Sequence, residues 1–172
     1  KLVDVGGNMG FAGAFNLAAV HAIKTRKPYL IFASSDTRFH KGALKAIDAR
    51  MTLSPEKRDE CAVSLVYGYA NFAIKTSSAK RIGAMDENFW PAYSEDCDHD
   101  VRARAVGCNR MLQLKLADHG DPYNKPKGVE SDQNLAAANN LAHVTTRQYI
   151  GRKWPQFAWG EYGCFPNLKV AT

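Results

Sequence analysis

Apolar residues recur at helical spacing from Phe11 to Ile23, at Phe11, Phe15, Ala18, Ala19, Ala22 and Ile23, and predict an amphipathic helix. Before it, Leu2 to Val5 forms a short apolar run read as a strand, and Gly6-Gly7-Asn8-Met9-Gly10 reads as a turn. After it, Lys24 to Pro28 breaks the helix, and Tyr29-Leu30-Ile31-Phe32-Ala33 has the continuous apolar character of a buried strand. The pattern then predicts a helix over Lys41 to Leu53, strands over Ala62 to Tyr67 and Phe72 to Ile74, and a short helix over Ser77 to Ile82 closed by Gly83. Glu95 to Val106 reads as a helix, with Ser94 as N-cap and Gly107 as its stop. Met111 to Leu116 reads as a strand, Ala117 to Glu130 as a long loop, and Ser131 to Ile150 as a helix followed by an aromatic tail.

Strands alternating with helices predict an α/β fold, with a mostly parallel sheet and helices on both faces. The chain of 172 residues suffices for one domain with its own core, so 1–172 is read as a single domain whose 131–172 portion is helical and aromatic. Lys1-Leu2-Val3-Asp4-Val5 opens like a strand already under way, and the expectation is a fold truncated at its N-terminus.

Composition changes this picture little. Hydrophobic residues make up 45% and charged residues 23%, the balance of an ordinary globular domain. The net charge of +6 is dispersed, with Lys and Arg interleaved with Asp and Glu, which argues for a mildly basic surface and against a nucleic-acid footprint. No apolar run reaches the roughly 20 residues that cross a bilayer. Cys61, Cys97, Cys108 and Cys164 show no Cys-x-x-Cys spacing. They are expected to be reduced, packed thiols in a cytoplasmic setting, peripheral to a membrane only through regions outside this chain.

Four segments carry candidate chemistry. Ser34-Ser35-Asp36 follows the buried strand, where a carboxylate can ligate Mg²⁺ or Mn²⁺ or act as an ordinary turn residue. Ser94-Glu95-Asp96-Cys97-Asp98-His99-Asp100 places four carboxylates and a His within six residues. The helix dipole accounts for Glu95 and Asp96, and a surface i,i+4 ion pair accounts for Asp98 with Arg102. The aromatic approach Phe89-Trp90-Pro91-Ala92-Tyr93 fits instead a wall for a sugar ring, beside carboxylates whose pKa an apolar setting would raise. His119 begins the long loop, a position open to packing or to a divalent ion. Finally, Asn8-x-Gly10-x-x-Gly13 between strand and helix imitates a dinucleotide fingerprint, but Asn8 stands where the first Gly is needed and Asp36 follows 28 residues later.

Taken in order, these segments resemble glycosyltransferase family 2, whose members have the GT-A, Rossmann-like fold. The resemblance spans residues 8–154. It rests on Asn8-x-Gly10 with Asn16, on Tyr29 to Phe39 ending at an Asp-x-Asp-type site, and on Ile82-Gly83-Ala84-Met85-Asp86-Glu87-Asn88-Phe89. It further rests on Tyr93-Ser94-Glu95-Asp96-Cys97-Asp98 with Arg102, on His119-Gly120, and on Tyr149 to Trp154. The resemblance implies an inverting, metal-assisted transfer of a sugar from a nucleotide-diphosphate donor to a hydroxyl of a glycan, lipid-linked or protein acceptor. It implies Asp96 as general base with Glu95 orienting the acceptor, and Trp90 and Tyr93 contacting the acceptor. Asn8, Gly10, Asn16, Ser34 and Asp36 would bind the donor, and Asp36 and His119 would ligate Mn²⁺ or Mg²⁺. One carboxylate of the Asp-x-Asp pattern is replaced by Ser34, and the family's leading strands have no counterpart before Lys1. Two other readings remain: an NAD-type dinucleotide-binding oxidoreductase, and a non-catalytic domain of the same fold that binds a sugar or a partner.

Overall fold

The structure, a computed structural model, describes residues 5–34, 36–52, 60–66, 68–90, 92–108, 110–119 and 133–155. The strand expected over Leu2 to Val5, most of the loop expected over 117–130, Ser35, Pro91, Cys164 and the aromatic tail therefore lie largely or wholly outside the described residues.

Helix α1 (Gly10–Lys24) leads into strand β1 (Tyr29–Ala33). A short strand β2 (Thr37–Phe39), helix α2 (Ala43–Thr52), strand β3 (Glu60–Ser64), strand β4 (Asn71–Lys75) and helix α3 (Thr76–Ile82) follow. A 3₁₀ turn (Glu87–Phe89), helix α4 (Glu95–Ala105), strands β5 (Arg110–Gln113) and β6 (Ala117–His119) and helix α5 (Gln133–Lys153) complete the described chain.

The main sheet has the order β1-β4-β3-β5. It is not mostly parallel, contrary to the sequence expectation: β1 with β4 and β3 with β4 are antiparallel, and only β3 with β5 is parallel. The reason is connection length. A parallel crossover needs a dozen or more residues, and only residues 65–70 separate β3 from β4, whereas β5 reaches β3 after a path through α3 and α4. A separate antiparallel ribbon pairs β2 with β6, with Thr37 opposite His119. The first residues of the expected loop are therefore a strand, too short for its own sequence to announce.

Alternate residues of the central strands face opposite layers. Phe72 and Ile74 of β4 join Ala62 of β3 in a core with Phe15, Ala19 and Ala22 of α1 and with Ala79 and Ile82 of α3. Ala73 of β4 and Val63 of β3 face Ile47 and Met51 of α2. Helix α5 seats Ile150 against Phe89 and Cys97.

Cys61 of β3 is joined by a disulfide to Cys108, between α4 and β5, and Cys97 is also disulfide-bonded. The expectation of reduced thiols is thereby corrected. Spacing along the chain carries no signal for a pairing across a separation of 47 residues.

Candidate active site

The topology gathers the chemistry at one end of the sheet. Helix α1 runs back into β1, so the start of α1 and the end of β1 share that end; Phe11 and Phe15 both pack edge-on against Phe32, at 4.8 and 6.0 Å between centroids. Antiparallel pairing puts Asn71, at the start of β4, opposite Ala33, at the end of β1.

Asn71 is fully buried and anchors the turn that carries Asp36. Its Oδ1 accepts from Ser34 N at 3.0 Å and from the Thr37 hydroxyl, while the Ser34 hydroxyl donates to Asp36 Oδ1 at 2.5 Å. Asp36 itself is exposed. The β2–β6 register sets the backbone of His119 opposite Thr37, one residue from Asp36, although 83 positions separate Asp36 and His119 in sequence. Beside them on the same ribbon, His40 Nε2 lies 3.1 Å from Asp118 Oδ1. Among the described residues no three His, Cys, Asp or Glu side chains cluster as a metal cage.

The second part of the site is the start of α4. A cleft lined by Met9, Gly10, Phe11, Gly13, Trp90 and Glu95 opens between the first turn of α1 and that of α4. Trp90 is 54% exposed, whereas Glu95 is only 7% exposed. Ser94 occupies the N-cap position, but its side chain makes no capping bond. Instead Tyr93 and Ser94 both take left-handed backbone angles, φ 80° and 68°, which non-glycine residues adopt at a cost. Helix α5 holds this bend: the Tyr93 hydroxyl donates to Asn139 Oδ1, and its ring stacks on His143. Tyr93 is thus engaged with α5, and Trp90 is the open aromatic face.

A helix N-terminus favours ionised carboxylates, yet both carboxyls here shift the other way. Burial pushes Glu95 up to about 7, with the neighbouring Asp96 adding to the shift and the N–H groups of Glu95 and Tyr93 opposing it. Asp96 is half-buried; burial raises its pKa, the Cys97 N–H bond at 2.8 Å and its own backbone N–H counter this, and Asp100 adds to the rise. Glu95 Oε2 is buried with no hydrogen-bonding partner among the described residues.

The side chains of Asn16 and Asn8 also bond within the fold. The Asn16 side chain donates to Met85 O and Glu87 Oε1 and accepts from Met85 N, tying α1 to the segment before the 3₁₀ turn. Asn8 Oδ1 accepts from Gly10 N at 2.9 Å and shapes the start of α1, where Gly10 itself has φ 67°. Asp98 is not the surface ion-pair residue expected: it is 0% exposed. It accepts from Arg102 Nε at 3.0 Å and from Trp154 Nε1 at 2.9 Å, while Arg102 Nη2 and Lys153 Nζ sit 2.9 and 2.8 Å from its carboxylate oxygens as ion-pair partners. Lys153 also bonds Asp86 at 2.7 Å, as does the Tyr149 hydroxyl at 2.8 Å. Burial alone would raise the Asp86 carboxyl, but bonds from Lys153, Asn88 and Tyr149 outweigh it and hold the pKa well below the usual range. Tyr149, Lys153 and Trp154 therefore clamp α5 onto the base of α4.

Compared with protein-family models, curated proteins and solved structures, the chain matches none. What it does is argued from the site alone.

Sequence reading assigned no role to Tyr69 or His99. The Tyr69 hydroxyl lies 3.0 Å from His99 Nδ1, within the core beneath Glu95. His99 stood in the acidic run, but nothing in the sequence linked it to Tyr69.

Proposed function

We propose that this chain carries a glycosyl-transfer site in which the Glu95–Asp96 pair accepts the proton of an acceptor hydroxyl. The observation that carries the proposal is the pair itself: adjacent carboxyls, both raised by burial, of which Glu95 lines a cleft shared with the exposed Trp90. Adjacent acids in one apolar setting share protons unequally, which leaves one ionised near neutral pH while its neighbour keeps a proton. Glu95, buried and held near 7, is the proton keeper. Asp96, half-buried, is the base presented to the acceptor. Trp90 offers an apolar face for a pyranose ring, the usual partner of a flat aromatic surface.

The donor end of the site is the turn after β1. Asp36, exposed after β1, offers one oxygen ligand of the kind Mn²⁺ or Mg²⁺ takes, and a nucleotide diphosphate would have to supply most of the remaining ligands. Such an ion, when bound, would neutralise charge developing on the leaving diphosphate. Ser34, bonded to Asp36, orients that carboxylate instead of supplying a second one.

The dinucleotide reading is less well supported, because β1 pairs antiparallel to its neighbour and gives Glu95 and Asp96 no task. The disulfides argue for an oxidising compartment over the cytoplasm. Among the described residues, no helix is long and apolar enough to cross a membrane.

The test is transfer from a panel of nucleotide-diphosphate sugars with Mn²⁺ to simple glycoside acceptors. Asp96→Asn is expected to lower turnover by about 10²- to 10⁴-fold, the worth of a general base, with donor affinity unchanged. Turnover unaffected by that substitution would sink the proposal.

A further inference from the structure

Helices α1 and α4 begin beside one cleft, and their side chains meet at two levels. In the outer layer, Phe11 and Glu95 line the cleft. One turn deeper, Phe15 meets the His99 ring at 5.4 Å. Glu95 and His99 are spaced i,i+4, so they lie on one face of α4, His99 directly behind Glu95 as seen from the cleft. His99 is 0% exposed. Its Nδ1 is engaged with the Tyr69 hydroxyl at 3.0 Å, and its Nε2 has no partner among the described residues. Glu95 Oε2 is buried and unpartnered in the same way.

Two orphaned polar atoms one helical turn apart on one buried face are each costly alone. A single ordered water bonded to both removes both costs, the usual role of buried water. We infer that Tyr69, His99 and Glu95 form a buried relay, closed by one water between His99 Nε2 and Glu95 Oε2, that positions the carboxylate pair behind the acceptor. This inference rests on the proposed role of that pair.

The proton inventory is explicit. Tyr69 stays a phenol, because burial, with Asp100 and Asp96 adding to it, holds its pKa far above the ordinary value. His99 stays a neutral imidazole: burial, with Arg102 adding and Asp98 opposing, lowers it to about 4. With Glu95 ionised, Tyr69 donates to Nδ1, and Nε2–H donates through the water to the carboxylate. When Glu95 takes a proton, its O–H donates through the water to Nε2; the Nε2 proton leaves and another joins Nδ1 by exchange with solvent, since none can cross the ring, and Nδ1–H donates to the Tyr69 oxygen. One proton enters, and no charge appears on His99. The groups facing the relay are Asp96, Asp98, Asp100, Arg102 and Arg104 from α4 and Glu87 of the 3₁₀ turn, which shares the cleft with Glu95, while α1 contributes the uncharged Phe15 ring. Tyr69 and His99 are positioning residues, since neither reaches the cleft.

Histidine ¹⁵N spectra of the full chain read the tautomer directly, with His99→Gln used to assign the signal. The expected result is a neutral His99 whose Nε2 resonance passes from the protonated to the unprotonated type as pH falls through the Glu95 titration. In Glu95→Gln that change should vanish. In Tyr69→Phe the change should move to a different pH, and the base limb of the transfer pH profile should move with it. A tautomer constant from pH 5 to 8, or one that changes identically in Glu95→Gln, overturns the relay. Should the tautomer follow Glu95 while Asp96→Asn transfers sugar as well as the parent protein, the relay stands and the glycosyl-transfer reading falls. Should Asp96→Asn lose transfer while the tautomer ignores Glu95, the relay alone falls.

Discussion

At the scale of single residues, the chemistry is set by burial overriding local helix electrostatics. A carboxyl in the first turn of a helix ordinarily ionises more readily, but Glu95 moves from 4.5 to about 7 because it is sealed beneath the first turn of α1. Such a group holds its proton more tightly folded than unfolded. Its contribution to stability is full below about 4.5 and is lost as pH rises through about 7. His99 behaves oppositely: lowered from 6.5 to about 4, it contributes above 6.5 and is lost as pH falls through 4. The two slopes oppose each other across the acidic range, so the parent protein is expected to show a shallow pH dependence there. Glu95→Gln should expose the His99 limb, with stability rising from pH 4 to 6.5. Above pH 7 the variant should exceed the parent by up to about 3 kcal/mol, from the size of the Glu95 displacement. Urea unfolding at half-unit pH steps reads both effects, and a variant less stable at pH 8 would refute the burial argument. The backbone before Glu95 offers a second check. Ser94 has φ 68° and no capping bond, so Ser94→Gly should raise stability by about 1 kcal/mol by removing left-handed strain.

At the scale of elements, the bond network around Asp98 decides where α5 sits. Asp98 is enclosed by Arg102 of its own helix and by Lys153 and Trp154 at the end of α5. Asp98→Ala leaves two cations short of a buried partner, and it is expected to cost roughly 3–5 kcal/mol. Hydrogen exchange across residues 133–153 should rise more than exchange in β4, because α5 is the element released. The aromatic bend moves with it, since Tyr93 is held by Asn139 and His143 of α5. Helices α1, α3 and α4 were legible in the sequence because each has its own period or a Gly stop; Gly83, for example, has φ 90°. Strands β2 and β6 were not, because three residues carry too little pattern and each is stabilised only by the other.

At the scale of the whole molecule, the disulfide between Cys61 and Cys108 ties the connection between α4 and β5 to strand β3 across a separation of 47 residues. Closing a loop of that length removes chain entropy worth about 4 kcal/mol from the unfolded state. Reduction, which also opens the Cys97 disulfide, is therefore expected to lower the urea midpoint substantially, and a Cys61→Ala/Cys108→Ala double variant should reproduce the part of the loss that belongs to this bridge. An unchanged midpoint on reduction would show that the bridge contributes little to the fold.

The sequence by itself determined the positions of the main helices, the buried character of β1, and the presence of a dense carboxylate run beside aromatic residues. These are local properties, written in side-chain period, cap residues and composition. Only the tertiary structure decided that the sheet is mixed, because strand direction depends on what the connections can span. It alone brought the His119 backbone beside Asp36, through a register between two three-residue strands. It also buried Asp98 where the sequence suggested a surface pair, and tied the Asn16 side chain to Met85. Burial and long-range pairing are properties of what comes to lie nearby, and no residue's own chemistry states its neighbours.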